Sequence, residues 1–193
     1  MYPANFPHTD FRLPAIAPGI HKILFMPLLL LFTMTSWATT NQDTTQRITT
    51  TVVVKGLVAH PLVLDINNIN QLKVVTGHHL NIVGATGDIK KTFDSYKGIS
   101  LKSILDSAVI TIGHPKEKGK YYIIVKGSDG YTSLYSWNDI YNNPTGEHVF
   151  LLFEENGKPI MKDGRFVMIC SNDKITGPRH VKWVESIEVA KLP

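Results

Sequence analysis

A chain of 193 residues, 43% of them hydrophobic and 19% charged, suits one ordinary globular domain and excludes a disordered or fibrous polypeptide. The net charge of +4 is mild, and the basic residues (Lys90 and Lys91, Lys116 to Lys120, Lys182) are interspersed with acids. No Arg-rich patch with interleaved aromatics points to a nucleic-acid partner. The only cysteine, Cys170, cannot form an internal disulfide, so stability must come from packing.

His21 and Lys22 precede an apolar run from Ile23 to Phe32, and Thr33-Met34-Thr35-Ser36-Trp37-Ala38 follows. A positive end, a greasy stretch and a small-residue exit predict a signal peptide over residues 1–38 and a periplasmic or secreted product. The run is too short to span a bilayer and contains Pro27, so no stable membrane insertion is expected after cleavage. Cutting after Ala38 removes Arg12, Lys22 and Asp10, two positive charges and one negative, which takes the net charge from +4 to +3. Residues 39–46 read as a Thr-, Gln- and Asn-rich flexible spacer, and the folded domain is expected over 47–193.

In that domain Ile48 to Val54 is β-branched throughout and predicts a strand ended by Lys55-Gly56. Asp65 to Leu72 suggests a short helix capped by Asp65. Lys73 to Thr76 and Leu80 to Val83 are short strand candidates flanking Gly77-His78-His79. Ser100 is placed to cap a helix whose Leu101, Ile104, Leu105 and Ala108 share one face. Strands are expected at Tyr121 to Lys126 and Tyr131 to Tyr135, joined by a tight turn at Gly127-Ser128-Asp129-Gly130. Ser136-Trp137-Asn138-Asp139 opens a second short helix. Val149 to Phe153, Arg165 to Cys170 and His180 to Val189 are the remaining strands, with a turn at Asn156-Gly157. Strands outnumber helices without a strand-helix-strand rhythm. The class is therefore α+β, mainly β, with mixed or antiparallel sheets and a few short helices.

Four landmarks occur in order: Tyr96, Gly98, Leu101 and Leu105; Ser128-Asp129-Gly130-Tyr131; Asn156-Gly157-Lys158-Pro159-Ile160; and Gly177-Pro178-Arg179-His180-Val181-Lys182-Trp183. Together they resemble the sulfite-oxidase-like oxidoreductase molybdopterin-binding domain over roughly residues 50 to 190. The resemblance implies that fold, and a pterin cofactor cradled in part by the last landmark. Arg179, His180 and Lys182 are then the cofactor-facing candidates, because a guanidinium fork or an ammonium suits a phosphate. The competing reading makes Arg179 and Lys182 solvated charges on an edge strand, with Val181, Trp183, Val184 and Ile187 supplying core.

The resemblance also implies a molybdenum-ligating cysteine near Asn81 to Gly87, since the metal's sulfur-rich coordination needs a soft thiolate. Asn81-Ile82-Val83-Gly84-Ala85-Thr86-Gly87 contains none. Cys170 lies in the apolar run Phe166-Val167-Met168-Ile169-Cys170 and reads as a buried, inert thiol. His78 and His79, with His60, His114, His148 or His180, could seed a metal site only from a loop, because strand neighbours point to opposite faces. No Gly-rich phosphate loop, H-E-x-x-H or G-x-S-x-G occurs.

These features lead to the expectation of a catalytically silent domain that binds or senses a small molecule or a periplasmic partner protein. No cofactor is expected, and molybdopterin is the alternative. Tyr96, Tyr131, Trp137 and Trp183 are its cleft candidates, set against the more ordinary role of core or rim aromatics. The second reading is a molybdopterin-dependent oxidoreductase with atypical metal ligation and a haem partner subunit. The third is a haem or metal protein using histidines.

Overall fold

The computed structural model describes residues 49–193, which belong to the second of two units in the chain, Asp43–Pro193. The signal peptide and spacer expected over 1–46 lie outside the described residues. No helix among the described residues is long and apolar enough to cross a membrane.

The elements in chain order are β1 (Thr51–Gly56), β2 (Leu62–Asp65), β3 (Val74–Val83), β4 (Ile89–Ser100), α1 (Leu101–Ala108), β5 (Tyr121–Gly127), β6 (Thr132–Ser136), α2 (Trp137–Tyr141), β7 (Val149–Glu155), β8 (Lys158–Pro159), β9 (Val167–Cys170) and β10 (Val184–Lys191). One sheet runs β2-β1-β10-β5-β6 and the other β3-β4-β7, with β8 and β9 on the far edge of β7. Among the described residues only β1 and β10 pair in parallel, joining the first strand to the last; every other strand pair there is antiparallel. The α+β, mainly β architecture predicted from sequence is the one observed.

The main core collects Val52 and Val54 of β1, Ile123 and Val125 of β5, Leu151 of β7, Cys170 of β9 and Ile187 of β10, closed by α1 and α2. A second apolar cluster contains Leu80, Ile82, Phe93, Phe150, Leu152, Ile160, Val167 and Ile169. On β7 and β9 alternate residues join one cluster or the other, as the pleat requires. Val149 to Phe153 are consequently all buried, which explains their uninterrupted apolar sequence.

Local signals produce α1 and α2 as expected. The Ser100 hydroxyl accepts a hydrogen bond from the Ser103 amide at 3.1 Å, and Leu101, Ile104, Leu105 and Ala108 are fully buried. Ser136 and Asp139 form a reciprocal capping box at the start of α2. Asn156 and Gly157 both take positive φ, 50° and 72°, and turn β7 into β8.

Three expectations are corrected. Asp65 does accept hydrogen bonds from the Asn67 and Asn68 amides at 2.7 and 2.9 Å, but only a 3₁₀ turn, Ile69–Gln71, follows. Asparagines that bond locally offer the backbone an alternative to an α-helix. Gly77, His78 and His79 do not form a loop between two strands. They run through the single strand β3, where His79 takes φ 53°, and both histidines are exposed. Finally, β10 starts at Val184 and is central, so Arg179 and Lys182 lie on no edge strand; they precede β10 in a crossing segment.

Leu105 is fully buried in the main core. Leu105→Ala should lower unfolding stability by about 3 kcal/mol, read as a reduced urea midpoint at unchanged slope.

Candidate functional site

The segment from Thr176 to Trp183 crosses from one sheet to the other. Thr176 is 3% exposed; its hydroxyl donates to the Asn81 carbonyl at 2.8 Å and accepts from the Val83 amide at 2.7 Å. Gly177 follows so closely against β3 that a Cβ would lie 2.8 Å from the Val83 carbonyl oxygen. Val181 then exchanges both backbone hydrogen bonds with Met168 of β9, at 2.8 and 2.9 Å. The Trp183 carbonyl accepts from the Ser128 amide at 3.0 Å, docking the β5–β6 turn.

Two adjoining hollows open along this segment. The smaller, about 270 Å³, is bordered by Ile82, Gly84, Lys90, Asp129, Tyr131, Gly177, His180 and Lys182. The larger, about 520 Å³, adds Lys91, Glu155, Lys162 and Asp163. They share Ile82, Lys90, His180 and Lys182. Two features of the β3–β4 hairpin bring its side chains here. Ile82 pairs directly with Lys91, so both point to one face. The register then slips between Ile82 and Val83, which pairs with Ile89, and this leaves Lys90 as the extra residue of a bulge. A bulge re-aims the side chain it carries.

Asp163 is the electrostatic hub. It is 5% exposed, accepts from Lys182 at 2.8 Å and Lys91 at 3.1 Å, and its backbone carbonyl accepts from the Trp183 amide at 2.8 Å. Burial alone would raise the Asp163 pKa, but the hydrogen bonds from Lys182 and Lys91 outweigh it and hold the carboxyl below its ordinary value. Lys91 also reaches Glu155 at 2.5 Å and lies 4.6 Å above the Phe93 ring. Its burial favours the neutral amine, yet Glu155 and Asp163 shift the balance upward. His180 is pushed down to about 4, first by burial and then by the Lys182 charge, and its Nε2 is buried without a hydrogen-bond partner. It is a neutral imidazole at neutral pH.

The sequence candidates separate in space. His180, Lys182 and Tyr131 share the smaller hollow, and the Tyr131 hydroxyl donates to the Pro178 carbonyl at 2.8 Å. Arg179 instead forms a two-pronged pair with Asp173, through Nε to Oδ2 at 2.6 Å and the terminal nitrogen to Oδ1, 4.9 Å over the Tyr135 ring. Tyr96 covers Gly77 and leans on Phe150 at 5.9 Å, while Trp137 stacks on Tyr141 at 5.0 Å. Neither borders the hollows. Trp183 takes φ 47° and packs against Gly164, with Lys182 5.7 Å from its ring centre. Sequence reasoning missed Ile82, Lys90, Asp163 and Thr176, whose roles depend on a bulge and on a long-range crossing. Gly164, at φ 90° against the Trp183 backbone, was the one local signal beside Asp163.

Two antiparallel-rich sheets contribute to the main core, with one parallel strand pair formed by the first and last described strands. The profile of the family described as "Oxidoreductase molybdopterin binding domain" matches residues 39–193, and the chain belongs to that family. Among solved structures, the sulfane dehydrogenase SoxCD from Paracoccus pantotrophus is similar in fold, with a TM-score of 0.53 and 18% identity. The match covers 72% of this chain but 37% of that one, so the chain spans little more than a third of that protein's length. No curated protein matches.

The residues present do not fit the metal that the family implies. Ile82 stands on the floor of both hollows, and no thiol borders either. Cys170 is fully buried in the main core, whereas Ile82 belongs to the second cluster on the other face of the sheet. Its Sγ donates to Asn172 Oδ1 at 3.0 Å, and burial pushes the thiol up to about 11. A neutral, inward-facing thiol is a poor molybdenum ligand. No group of three or more His, Cys, Asp or Glu side chains that could hold a metal occurs among the described residues.

His180 also sets a pH response. Unfolding restores an ordinary imidazole near 6.5 from a folded value of about 4. Between those values the unfolded chain binds a proton that the folded chain refuses, so stability is full above pH 6.5 and falls as pH drops toward 4. The loss should reach roughly 2–3 kcal/mol. His180→Gln should flatten this part of a denaturant-midpoint profile, and Thr176→Val should cost about 2 kcal/mol at every pH by stranding the Val83 amide.

Proposed function

We propose that this domain is a catalytically silent member of the molybdopterin-binding family, working in the periplasm as a binding or sensing module for a small molecule. The observation that carries the reading is the position of Ile82. An apolar side chain forms the cleft floor in the region where the family resemblance calls for a thiolate, and the chain's one sulfhydryl faces the opposite side of the sheet. The cleft itself is retained. Its walls are fixed by Thr176, Gly177 and the Val181–Met168 pair, its charge is held by Asp163, and Tyr131 is anchored through Pro178. A pre-formed concavity with an apolar floor and a few convergent polar groups is the usual form of a ligand site.

Elemental analysis of protein isolated from the periplasm tests the reading. Molybdenum should be far below one atom per chain, and oxidised extracts should lack pterin fluorescence. Stoichiometric molybdenum with a pterin would replace the reading by an oxidoreductase with unusual ligation. Localisation is checked by fractionation, with the protein expected in the periplasmic fraction.

A further inference from the structure

The smaller hollow has two chemically distinct parts. Its floor is Ile82, 5% exposed, and one wall is the ring of Tyr131, 43% exposed. Its border carries the side chains of Lys90 and Lys182, 62% and 40% exposed. Both lysines already have acidic neighbours, Asp88 at 2.5 Å and Asp163 at 2.8 Å. The Lys90–Asp88 pair is exposed and weak, whereas Lys182 is held by the buried Asp163; each ammonium has three donors, so either lysine can take a second acceptor. One carboxylate, Asp129, also borders the hollow, but its Oδ1 accepts from the Tyr131 amide at 2.9 Å.

Such a site discriminates by requiring both an apolar body and an anionic head. A bare inorganic anion would leave Ile82 and the Tyr131 ring facing water, and a neutral ring would leave the lysines without new partners. The hollow measures about 270 Å³, below the roughly 300–1,000 Å³ of sites that take drug-sized ligands. That is the scale of a single-ring acid. A pterin with a phosphate tail is larger and would have to extend into the second hollow.

We infer that the smaller hollow is a site for a small ring-bearing carboxylate, its ring between Ile82 and Tyr131 and its carboxylate between Lys90 and Lys182. The inference rests on the binding-module reading and names the ligand class for that cleft. Tyr131 acts there as a positioned wall: its hydroxyl proton is committed to the Pro178 carbonyl, which restrains the ring and leaves the hydroxyl no proton to donate to a carboxylate. His180, neutral with a buried Nε2, adds no charge.

Calorimetric titration of the purified protein with benzoate, benzamide and inorganic phosphate decides the matter, with amide chemical shifts of Gly84 and Gly177 reporting where binding occurs. Benzoate should bind one-to-one and move those amides, and benzamide and phosphate should bind roughly tenfold more weakly or not at all. Lys90→Gln and Lys182→Gln should each weaken benzoate by roughly three- to tenfold while the melting temperature of the Lys90 variant stays unchanged, because that side chain lies at the surface. Tyr131→Phe should retain benzoate binding with a smaller loss than Tyr131→Ala. Failure of benzoate to saturate, equal binding of benzamide or phosphate, or indifference to both lysine substitutions would overturn the inference. Metal-free protein that ignores benzoate would end this inference alone; stoichiometric molybdenum would end the reading beneath it.

Discussion

The structure depends on the backbone of the segment from Thr176 to Val184, which is hydrogen-bonded to both sheets at once. Thr176 ties it to β3, Val181 to β9, Trp183 to the β5–β6 turn and to Asp163, and the Val184 amide to the Phe166 carbonyl at 3.0 Å, after which the chain enters the centre of the other sheet as β10. A crossing between sheets that is buried at Thr176, Val181 and Val184 must satisfy its donors and acceptors there. Here each anchor also fixes one wall of the cleft, so the stability of the fold and the shape of the site come from the same bonds.

Glycines permit that crossing. At Gly177 a Cβ would press on the Val83 carbonyl, and at Gly127 it would meet the Lys182 carbonyl oxygen at 2.5 Å. Both positions have ordinary φ, so the requirement is close backbone approach and not conformational freedom. This gives a physical reason for Gly177 at the head of the Gly177 to Trp183 landmark, and for Gly127, which immediately precedes the Ser128-Asp129-Gly130-Tyr131 landmark. The two landmarks are the surfaces that dock, and the Ser128 amide bonding to the Trp183 carbonyl joins them.

What could be read from the sequence was what local physics determines. Ser100 and Ser136 announced their helices because a cap acts within three residues, and Val149 to Phe153 announced a two-sided strand because burial on both faces leaves no polar alternation. His180 and Lys182, candidates by resemblance, both border the smaller hollow. Arg179 was the natural partner by chemistry, yet Asp173, six residues away, claims its guanidinium, and nothing in the local pattern distinguishes an acid that pairs from one that does not. Tyr96 and Trp137 looked like cleft aromatics because aromatic type carries no information about which sheet face it will occupy. Lys90 was invisible for a different reason: its direction is set by a one-residue slip in pairing, and strand periodicity read from sequence assumes that no slip occurs.

Asp163 explains why the cleft retains basic residues without becoming strongly cationic. A carboxylate this buried is stable as an anion only while cations hydrogen-bond to it, and removing one partner from a buried pair costs more than the pair contributes. Lys91 and Lys182 together meet that demand, and Lys91 additionally answers Glu155. Lys91, the more enclosed of the two lysines, is therefore mainly structural. Lys182, whose side chain is 40% exposed, is the more accessible of the two. With His180 held neutral between them, the field in the hollow is that of one or two accessible ammonium groups over an apolar floor. Such a surface favours a ligand with one concentrated negative charge and a hydrophobic remainder, and it offers nothing to complete the coordination of a soft metal.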